Sequence, residues 1–261
     1  MSRELTVARQ MIWADMLRLG KKRGFMALVL AVVLAPVVIW TGYEVIEHAS
    51  NPAQYGPAGG VSHFVRMLDL LGVFMGPVAA VLIGAEAGAG DLAAGVFRDN
   101  VLTGRSRFAL FLARIPAALA LTFTVIGLGF VVGLAVTFGF AGGLATPSVS
   151  LILESAAWLA LANGVVCVIA IGLATLTGSR PGTITALIGW ELVLSPLLLQ
   201  AHSLGSLRNA LLDGVLVFLK PGPPSGAPVI PMSVAVAVIV AAVWLLVLPA
   251  LGAWRTQTRD A

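Results

Sequence analysis

Charged side chains are scarce in this chain. Asp, Glu, Lys and Arg make up 11% of its 261 residues, whereas hydrophobic residues make up 59%. Soluble domains average about 25% charged and about 45–50% apolar residues. The shortage of charge therefore excludes an ordinary soluble domain and indicates a polytopic membrane protein. The net charge of +4 follows the membrane topology described below, so nucleic-acid binding is not expected.

Cysteine is also nearly absent. Cys167 is the single cysteine of the chain, and it lies within an apolar run. An intrachain disulfide is therefore impossible, and neither a thiolate metal cluster nor redox chemistry is expected.

The chain lacks the short motifs that bind nucleotides or catalyse hydrolysis. No G-x-x-x-x-G-K-[ST] phosphate loop occurs, so the chain itself is not expected to bind ATP. Neither H-E-x-x-H nor G-x-S-x-G is present, and His48, His63 and His202 lack the spacing of metal ligands. We therefore predict no catalytic residue, no metal and no cofactor in this chain.

What the sequence does contain is six apolar segments, each near the roughly 20 residues that a membrane-spanning helix needs. The predicted spans 1 to 6 are approximately residues 25–46, 63–85, 109–138, 151–176, 183–200 and 232–254. This pattern predicts an all-α membrane protein with six transmembrane helices. The short connections predict a single transmembrane domain over residues 1–261.

Residues 1–24 precede the first span and carry their own helical pattern. An apolar stripe recurs at intervals of three and four residues, at Leu5, Ala8, Ile12, Met16 and Leu19. Basic residues lie off the stripe, which predicts an amphipathic helix in the membrane interface. A signal-peptide n-region is the alternative, but the next apolar run is longer than an h-region and no convincing cleavage site follows.

Residues 201–231, between spans 5 and 6, form a second unusual segment. Another apolar stripe runs through Leu204, Leu207, Leu211, Val215 and Phe218. The segment ends in KPGPPSGAPVIP, which cannot continue a helix. We predict an interfacial or re-entrant helix on the outer face rather than a seventh span.

The distribution of basic residues predicts the orientation. Thirteen of the 16 Lys and Arg residues fall on the side that holds the N-terminus, and the other three are Arg66, Arg208 and Lys220. By the positive-inside rule both termini are predicted to be cytoplasmic, as is the loop at residues 86–107.

This loop at residues 86–107, EAGAGDLAAGVFRDNVLTGRSR, is predicted to contain a helix of its own. Asp91 can accept the free amides of a first turn, and Gly104 can end the helix. Leu92, Val96 and Val101 form a short apolar strip between them. Such a helix needs a surface to lie against, which is either the membrane headgroups, the N-terminal helix or another protein.

The loop resembles the one after the second span in ABC-2 type permeases, the membrane subunits of bacterial ATP-binding-cassette exporters. In that family an acidic residue ends the span, a Gly-Thr pair follows, and a Leu-rich stretch leads to a Pro-x-Ser-Arg ending. The corresponding residues here are Glu86, Gly95-Val96-Phe97-Arg98, Val101-Leu102-Thr103 and Gly104-Arg105-Ser106-Arg107. The chain departs from the pattern at Val96 and at Gly104.

The resemblance implies a permease that works as a dimer, with a second permease copy and with a separate ATPase subunit bound to each. The loop would hold the coupling helix, and the membrane would be the bacterial cell membrane. ATP would be bound by the partner ATPase. The residues implied in ATPase coupling are Glu86, Asp91, Gly95, Arg98, Asp99, Gly104, Arg105 and Arg107. Glu86 is expected to pair with one of the arginines of the loop.

Four acidic residues fall in or near the predicted spans, where a carboxylate in lipid is costly. Glu44 and Glu154 are peripheral and can reach the headgroups, whereas Asp69 and Glu191 need partners. Asp69 has Arg66 one turn away, and we expect an ion pair. Glu191 lies near the middle of span 5. It is interpreted either as a buried hydrogen-bonding group or as part of a transport path.

Glycines occur in pairs with the G-x-x-x-G spacing, which allows helices to approach closely. The pairs are Gly84/Gly88, Gly129/Gly133 and Gly139/Gly143. Contacts within the chain are expected to explain them better than a dimer contact.

Three other interpretations stay open. An import permease would begin its loop with Glu-Ala-Ala, and Glu86-Ala87-Gly88 is similar, but the Ile-x-Leu-Pro ending is missing. A secondary transporter or channel would need no ATPase; it would show repeated halves or charges at the midplane. A membrane-embedded enzyme has no recognisable set of residues here.

Overall fold

The computed structural model describes residues 2–93, 106–223 and 230–258. Within these ranges the regular structure is entirely helical, with no strand. The α-helices are α1 Ser2–Gly20, α2 Arg23–Ser50, α3 Gly60–Asp69, α4 Met75–Ala93, α5 Arg107–Gly139, α6 Val149–Thr177, α7 Arg180–Gly189, α8 Ser195–Gln200, α9 Leu212–Phe218 and α10 Val234–Thr258.

Six helical segments of this part of the chain are long and apolar enough to cross a membrane. They are Arg23–Ser50, Gly60–Asp91, Arg107–Gly139, Val149–Thr177, Arg180–Gln200 and Val234–Thr258. The prediction of six spans in an all-helical chain is confirmed, and we keep the names span 1 to span 6 for these segments. The chain is a multi-pass membrane protein.

Span 4 is the centre of the bundle. In its most apolar stretch of 18 residues 78% are buried, whereas the corresponding value for span 6 is 6%. It packs against α4 of span 2 on one side and against span 6 on the other. Small residues allow the close approach: a Cβ added to Gly84 would lie 2.5 Å from the Cys167 carbonyl oxygen, and one added to Gly172 2.6 Å from the Leu248 carbonyl carbon.

The glycine pairs are explained mostly by contacts within the chain, as expected. A Cβ on Gly88 would lie 2.6 Å from the Ile171 oxygen, and one on Gly133 would meet the Met67 side chain. The interpretation of Gly139/Gly143 is wrong, because α5 ends at Gly139 and Gly143 lies beyond it with a φ of 88°. These two glycines therefore do not share a helix face.

Spans 2 and 5 each contain a π-helical turn, at Leu70–Phe74 and at Trp190–Leu194. Such a turn disrupts the regular α-helical hydrogen bonds and is frequent at functional sites. In span 2, the Asn163 amide of span 4 donates to the Leu71 carbonyl oxygen at 3.2 Å. A side chain of the core thus donates a hydrogen bond to a backbone carbonyl oxygen of the π-helical turn.

Helix α1 packs against span 3, so its apolar stripe has a protein partner. Ala8 and Ile12 face Ala109 and Ala113 of α5 across a small gap, and Leu19 is fully buried. The exposed large side chains of α1 lie elsewhere, at Trp13 and Leu17. The interfacial position of α1 stays a prediction, but the predicted stripe is turned at least in part towards the bundle.

The apolar stripe predicted one helix between spans 5 and 6. The structure instead shows an interrupted segment. A 3-10 helix covers His202–Ala210, Leu211 is extended, and α9 follows. Gly205 has a φ of 52°, which breaks the helical repeat, so Leu207 is 71% exposed while Val215 is fully buried. Because the helical repeat is interrupted at Gly205, the residues of the apolar stripe do not lie on one face.

Candidate functional site

The polar end of span 2 carries the largest cluster of buried charge that we find among the described residues. The six spans alternate in direction, so this end lies on the same side as α1, the start of span 3 and the start of span 5. We call it the α1 side. Glu86, Asp91 and Arg114 are 1%, 4% and 3% exposed there.

The prediction that Asp91 caps a separate helix is wrong. Asp91 lies inside α4, which continues to Ala93, and its side chain is buried. The helix continues past the apolar part of span 2 because its carboxylates find cationic partners on the adjacent helices. A buried carboxylate is tolerated when it is paired in this way.

Asp91 binds two arginines from different helices. Arg114 of span 3 donates from Nη2 to Asp91 Oδ2 at 2.9 Å, and Arg18 of α1 pairs through Nη1 with Oδ1. Arg18 also lies 3.2 Å from Asp15, measured from Nη2 to Oδ1. One carboxylate therefore connects α1, span 2 and span 3.

Glu86 has a second pair of partners, Lys22 and Arg180, which lie outside the loop. The predicted pairing with Arg98 or Arg105 lies outside the described residues. Lys22, in the link between α1 and span 1, pairs with Oε1, and Arg180 Nη1 lies 2.6 Å from Oε2. The guanidinium of Arg180 also lies 5.3 Å from the centre of the Phe25 ring, in cation–π contact. Glu86 thus connects span 2 to span 5 and to the start of span 1.

The Gly88 carbonyl oxygen, between the two carboxylates, completes the network. Arg114 Nη1 donates to it at 3.2 Å, and Thr175 Oγ1 of span 4 lies 3.3 Å away. The end of span 2 therefore has polar contacts with α1 and with spans 3, 4 and 5. We call these residues the span 2 network.

Two members of the network outside the spans have altered ionisation. Burial raises the pKa of Asp15 above its ordinary value, although the charges of Arg18 and Arg114 act in the opposite direction. Burial likewise lowers the pKa of Arg18, which Asp15 opposes. Both shifts follow from the partial burial of these side chains against the bundle, where Arg18 is 31% and Asp15 22% exposed.

Several residues implied in coupling fall outside the described residues, namely Gly95, Arg98, Asp99, Gly104 and Arg105. Arg107 is the first residue of α5, directly after Ser106, whose hydroxyl accepts from the Ala109 amide at 3.1 Å. Arg107 Nη1 donates to the Gln257 carbonyl oxygen of span 6 at 3.5 Å. Of the predicted set, the structure thus brings Glu86 and Asp91 into one network.

The sequence did not identify the cations of this network as partners of Glu86 and Asp91. Arg18, Lys22, Arg114 and Arg180 were used to predict topology, and nothing in their spacing assigns them to Glu86 or Asp91. Arg114 gave the clearest signal, because it falls inside a predicted span, where an ionisable residue usually has a specific partner.

Glu191 lies in the π-helical turn of span 5 and is buried. Its side chain forms a hydrogen bond with Asp213 of α9, the helix between spans 5 and 6. Burial raises the pKa of Asp213, although the side chains of Ser195 and Glu191 act to lower it. This contact fits the interpretation of Glu191 as a buried hydrogen-bonding group, and it leaves the transport-path interpretation untested.

On the side opposite α1, the expected pair of Asp69 and Arg66 does not form. Lys220 pairs with Asp69, and Arg66 Nη2 lies 3.0 Å from Glu44 Oε1 of span 1. Contacts with other segments therefore replace the predicted pairing within one helix.

Fold and site together define a multi-pass, all-helical membrane protein in which one ionic network joins α1 to the end of span 2. No group of three or more His, Cys, Asp or Glu side chains in the described ranges could hold a metal ion. No family model matches the chain, and a search of curated proteins finds no match.

Proposed function

We propose that this chain is the membrane permease subunit of an ATP-driven exporter of the ABC-2 type. It would act with a separate ATP-binding-cassette ATPase and with a second permease copy, in the bacterial cell membrane, with both termini cytoplasmic. The proposal rests on the resemblance of residues 86–107, on the six candidate spans, and on the side on which the basic residues collect.

The observation that carries the proposal is the span 2 network. A motor protein that pushes on the segment after Ala93 must transmit its movement to the spans. Asp91 and Glu86 are the last acidic residues before that segment, and their partners lie on α1, on span 3, on span 5 and before span 1. Buried ion pairs of this kind resist separation, because parting them leaves an uncompensated charge.

The network supports a simple mechanical sequence. ATP binding would close the two ATPase subunits and move the segment at residues 94–105 together with α1. Because Asp91 holds Arg18 and Arg114, span 3 would move with α1. Because Glu86 holds Arg180, the start of span 5 would follow. The cytoplasmic ends of these spans would thus move as one body and change access to the transport path.

The decisive experiment is co-purification with an ATP-binding-cassette subunit encoded next to this chain. The tagged permease is expected to retain that ATPase. Replacing residues 94–104 by a Gly/Ser linker of equal length is expected to abolish the interaction while the permease still folds. This replacement leaves Asp91 and its ion pairs intact.

A matched control replaces residues 224–229, between α9 and span 6 in the sequence, by a Gly/Ser linker of equal length. This variant should retain the ATPase. Equal retention by both variants, or no association of the unaltered chain, would contradict the proposal. The variant Arg107→Glu is expected to keep the ATPase bound but to separate ATP turnover from transport, with Arg208→Glu as its control.

The pair of Glu191 and Asp213 favours one alternative, a proton-coupled secondary transporter. Buried carboxyl groups that share a hydrogen bond can carry a proton across part of a membrane. Proteoliposomes distinguish the two functions. An ATPase-driven exporter requires the partner subunit and ATP, whereas a secondary transporter works with this chain alone and an imposed pH gradient.

A further inference from the structure

A cavity of about 230 Å³ lies between spans 1 and 2, on the side opposite α1. It is smaller than the roughly 300–1,000 Å³ of pockets that enclose a drug-sized ligand, so it suits part of a longer molecule. Its wall includes Trp40, His63, Arg66, Met67, Asp69, Leu70 and Phe74. Trp40 and Phe74 are 49% and 47% exposed, which shows that the cavity opens towards the outside of the bundle.

Three polar side chains of this wall are held by one carboxylate. Glu44 Oε1 accepts from Trp40 Nε1 at 3.0 Å and lies 3.0 Å from Arg66 Nη2, and Glu44 Oε2 lies 2.6 Å from His63 Nδ1. Glu44 itself is mostly covered, with a side chain 11% exposed. The orientation of the wall is therefore fixed by a residue behind it, which is how binding sites are preorganised.

The acceptors around the cavity are already in use. Both Glu44 oxygens have partners, and Asp69 is paired with Lys220. The remaining capacity is on the cationic side. Arg66 has five N–H donors, and its side chain is 52% exposed. An acidic group therefore complements this wall better than a basic one.

His63 provides a second, independent indication. It is 2% exposed, and among the described residues its Nε2 has no hydrogen-bond partner. A buried polar atom without a partner is costly. His63 belongs to the cavity wall, so a ligand group that reaches Nε2 from the cavity would remove this cost. An acid suits this nitrogen in either protonation state, because Nε2–H donates to an acid oxygen and a neutral Nε2 accepts an acid O–H.

The polarity of the wall changes with depth. Arg66 is six residues from Gly60, where span 2 begins, or about 9 Å along the helix axis. Its guanidinium can therefore reach the membrane surface. Leu70 and Phe74 follow deeper in the span and are apolar. An amphiphile within a bilayer has the same order, with its headgroup at the surface and its chain below.

We propose that this cavity binds a membrane amphiphile, with its acidic headgroup at Arg66 and His63 and its apolar chain along Met67, Leu70 and Phe74. Glu44 is a positioning residue for this site. The site does not depend on an ATPase, so the inference goes beyond the proposed function and stands separately from it.

The experiment uses the full chain in nanodiscs of phosphatidylcholine and a photoreactive lysophosphatidic acid, with a photoreactive monoacylglycerol of equal chain length as the neutral probe. We expect saturable labelling by the acidic probe that maps to the cavity wall. Arg66→Gln should weaken its apparent affinity about tenfold, because a hydrogen bond to a charged group is lost. The neutral probe should bind weakly and be unaffected by this change.

Two further variants separate the site from the membrane charge and from misfolding. Arg208→Gln removes a cation from the same side outside the cavity and should leave labelling unchanged. Leu70→Trp fills the cavity and should abolish labelling while Arg66 stays in place. Thermal unfolding confirms that each variant is folded.

Labelling spread evenly over the lipid-facing helices, or equally reduced by Arg66→Gln and Arg208→Gln, would overturn the proposal. The proposal would also be overturned if inorganic phosphate competed for the saturable labelling as strongly as unlabelled lysophosphatidic acid does. The acyl chain of the lipid would then contribute nothing to binding. A further test uses the variant Phe74→Cys. If two copies of this variant form a disulfide with each other and the probe no longer labels them, the cavity belongs to an interface with a second copy of this chain. Native Cys167 is fully buried and does not interfere.

Discussion

Asp91 and Arg114 lie 23 residues apart in the chain, on spans 2 and 3, and face each other across 2.9 Å in the interior of the bundle. Their side chains are 5% and 3% exposed. The pair is thus a buried contact between two membrane-spanning helices, at the end of the bundle where α1 is attached.

Removing one partner of this pair is expected to be strongly destabilising. Asp91→Asn removes the carboxylate that is paired directly with the buried Arg114, a change that costs about 3–5 kcal/mol in comparable cases. The double variant Asp91→Asn/Arg114→Met should be more stable than Asp91→Asn alone, because no uncompensated charge stays buried. Thermal unfolding in detergent, followed by tryptophan fluorescence, measures both. A double variant that shows the sum of the two single losses would contradict the pairing.

Glu86→Gln is expected to cost less than Asp91→Asn, about 1–2 kcal/mol. The reason is that its partners can reach water: the side chains of Lys22 and Arg180 are 45% and 38% exposed, whereas that of Arg114 is 3% exposed. The same unfolding assay compares the two variants directly. A greater loss for Glu86→Gln would show that exposure of the cations does not govern the cost.

Gly84→Ala is expected to destabilise the packing of span 2 on span 4 by about 1–3 kcal/mol. The added Cβ would lie 2.5 Å from the Cys167 oxygen and 2.7 Å from the Ala170 Cβ, so one helix must shift. Gly127→Ala is the matched control, since nothing lies within 4 Å of its added Cβ. That variant should be neutral or stabilised by up to about 1 kcal/mol through helix propensity. Equal effects at both positions would refute the close approach.

Asp213 predicts a pH dependence of stability. Burial raises the pKa of its carboxyl in the folded protein above the ordinary value of 3.8, so the folded state binds the proton more tightly than the unfolded state. Its stabilising contribution is complete below about pH 4 and is lost as the pH rises through the raised folded-state pKa. Melting temperatures at a series of pH values should therefore fall less steeply with rising pH for Asp213→Asn than for the unaltered chain.

The control for this prediction is Glu154→Gln, which neutralises an exposed carboxyl on the same side of the bundle. Its pH profile should follow that of the unaltered chain. Parallel profiles for Asp213→Asn and the unaltered chain would mean that the contact with Glu191 does not hold a proton.

Much of the fold could be predicted from the sequence, because the length of an apolar run is a local property. The number and order of the six spans followed from such runs, and most of the close glycine contacts from their spacing. The ends of span 2 were less accessible. Its polar end, Glu86 to Ala93, looked like a loop because the sequence does not show that its carboxylates would be paired.

The candidate site was predicted only in part, for the same reason. Glu86 and Asp91 were recognised as important, but Glu86 was assigned to loop arginines and Asp91 to a helix cap. Asp69 was likewise assigned to Arg66, one turn away, whereas Lys220, 151 residues away, is its partner. Proximity in sequence is a poor guide here because several cations compete for each carboxylate.

The sequence by itself determined that this chain has six segments long and apolar enough to cross a membrane, and on which side of them its positive charge collects, since hydrophobic length and charge placement need no knowledge of neighbours. The tertiary structure decided which charges meet. Ion pairs depend on which helix faces which. Packing around span 4 determines this arrangement, because small residues allow span 2 and span 6 each to approach span 4 closely. The partners of Glu86, Asp91 and Glu44 therefore emerged only when the helices were placed together.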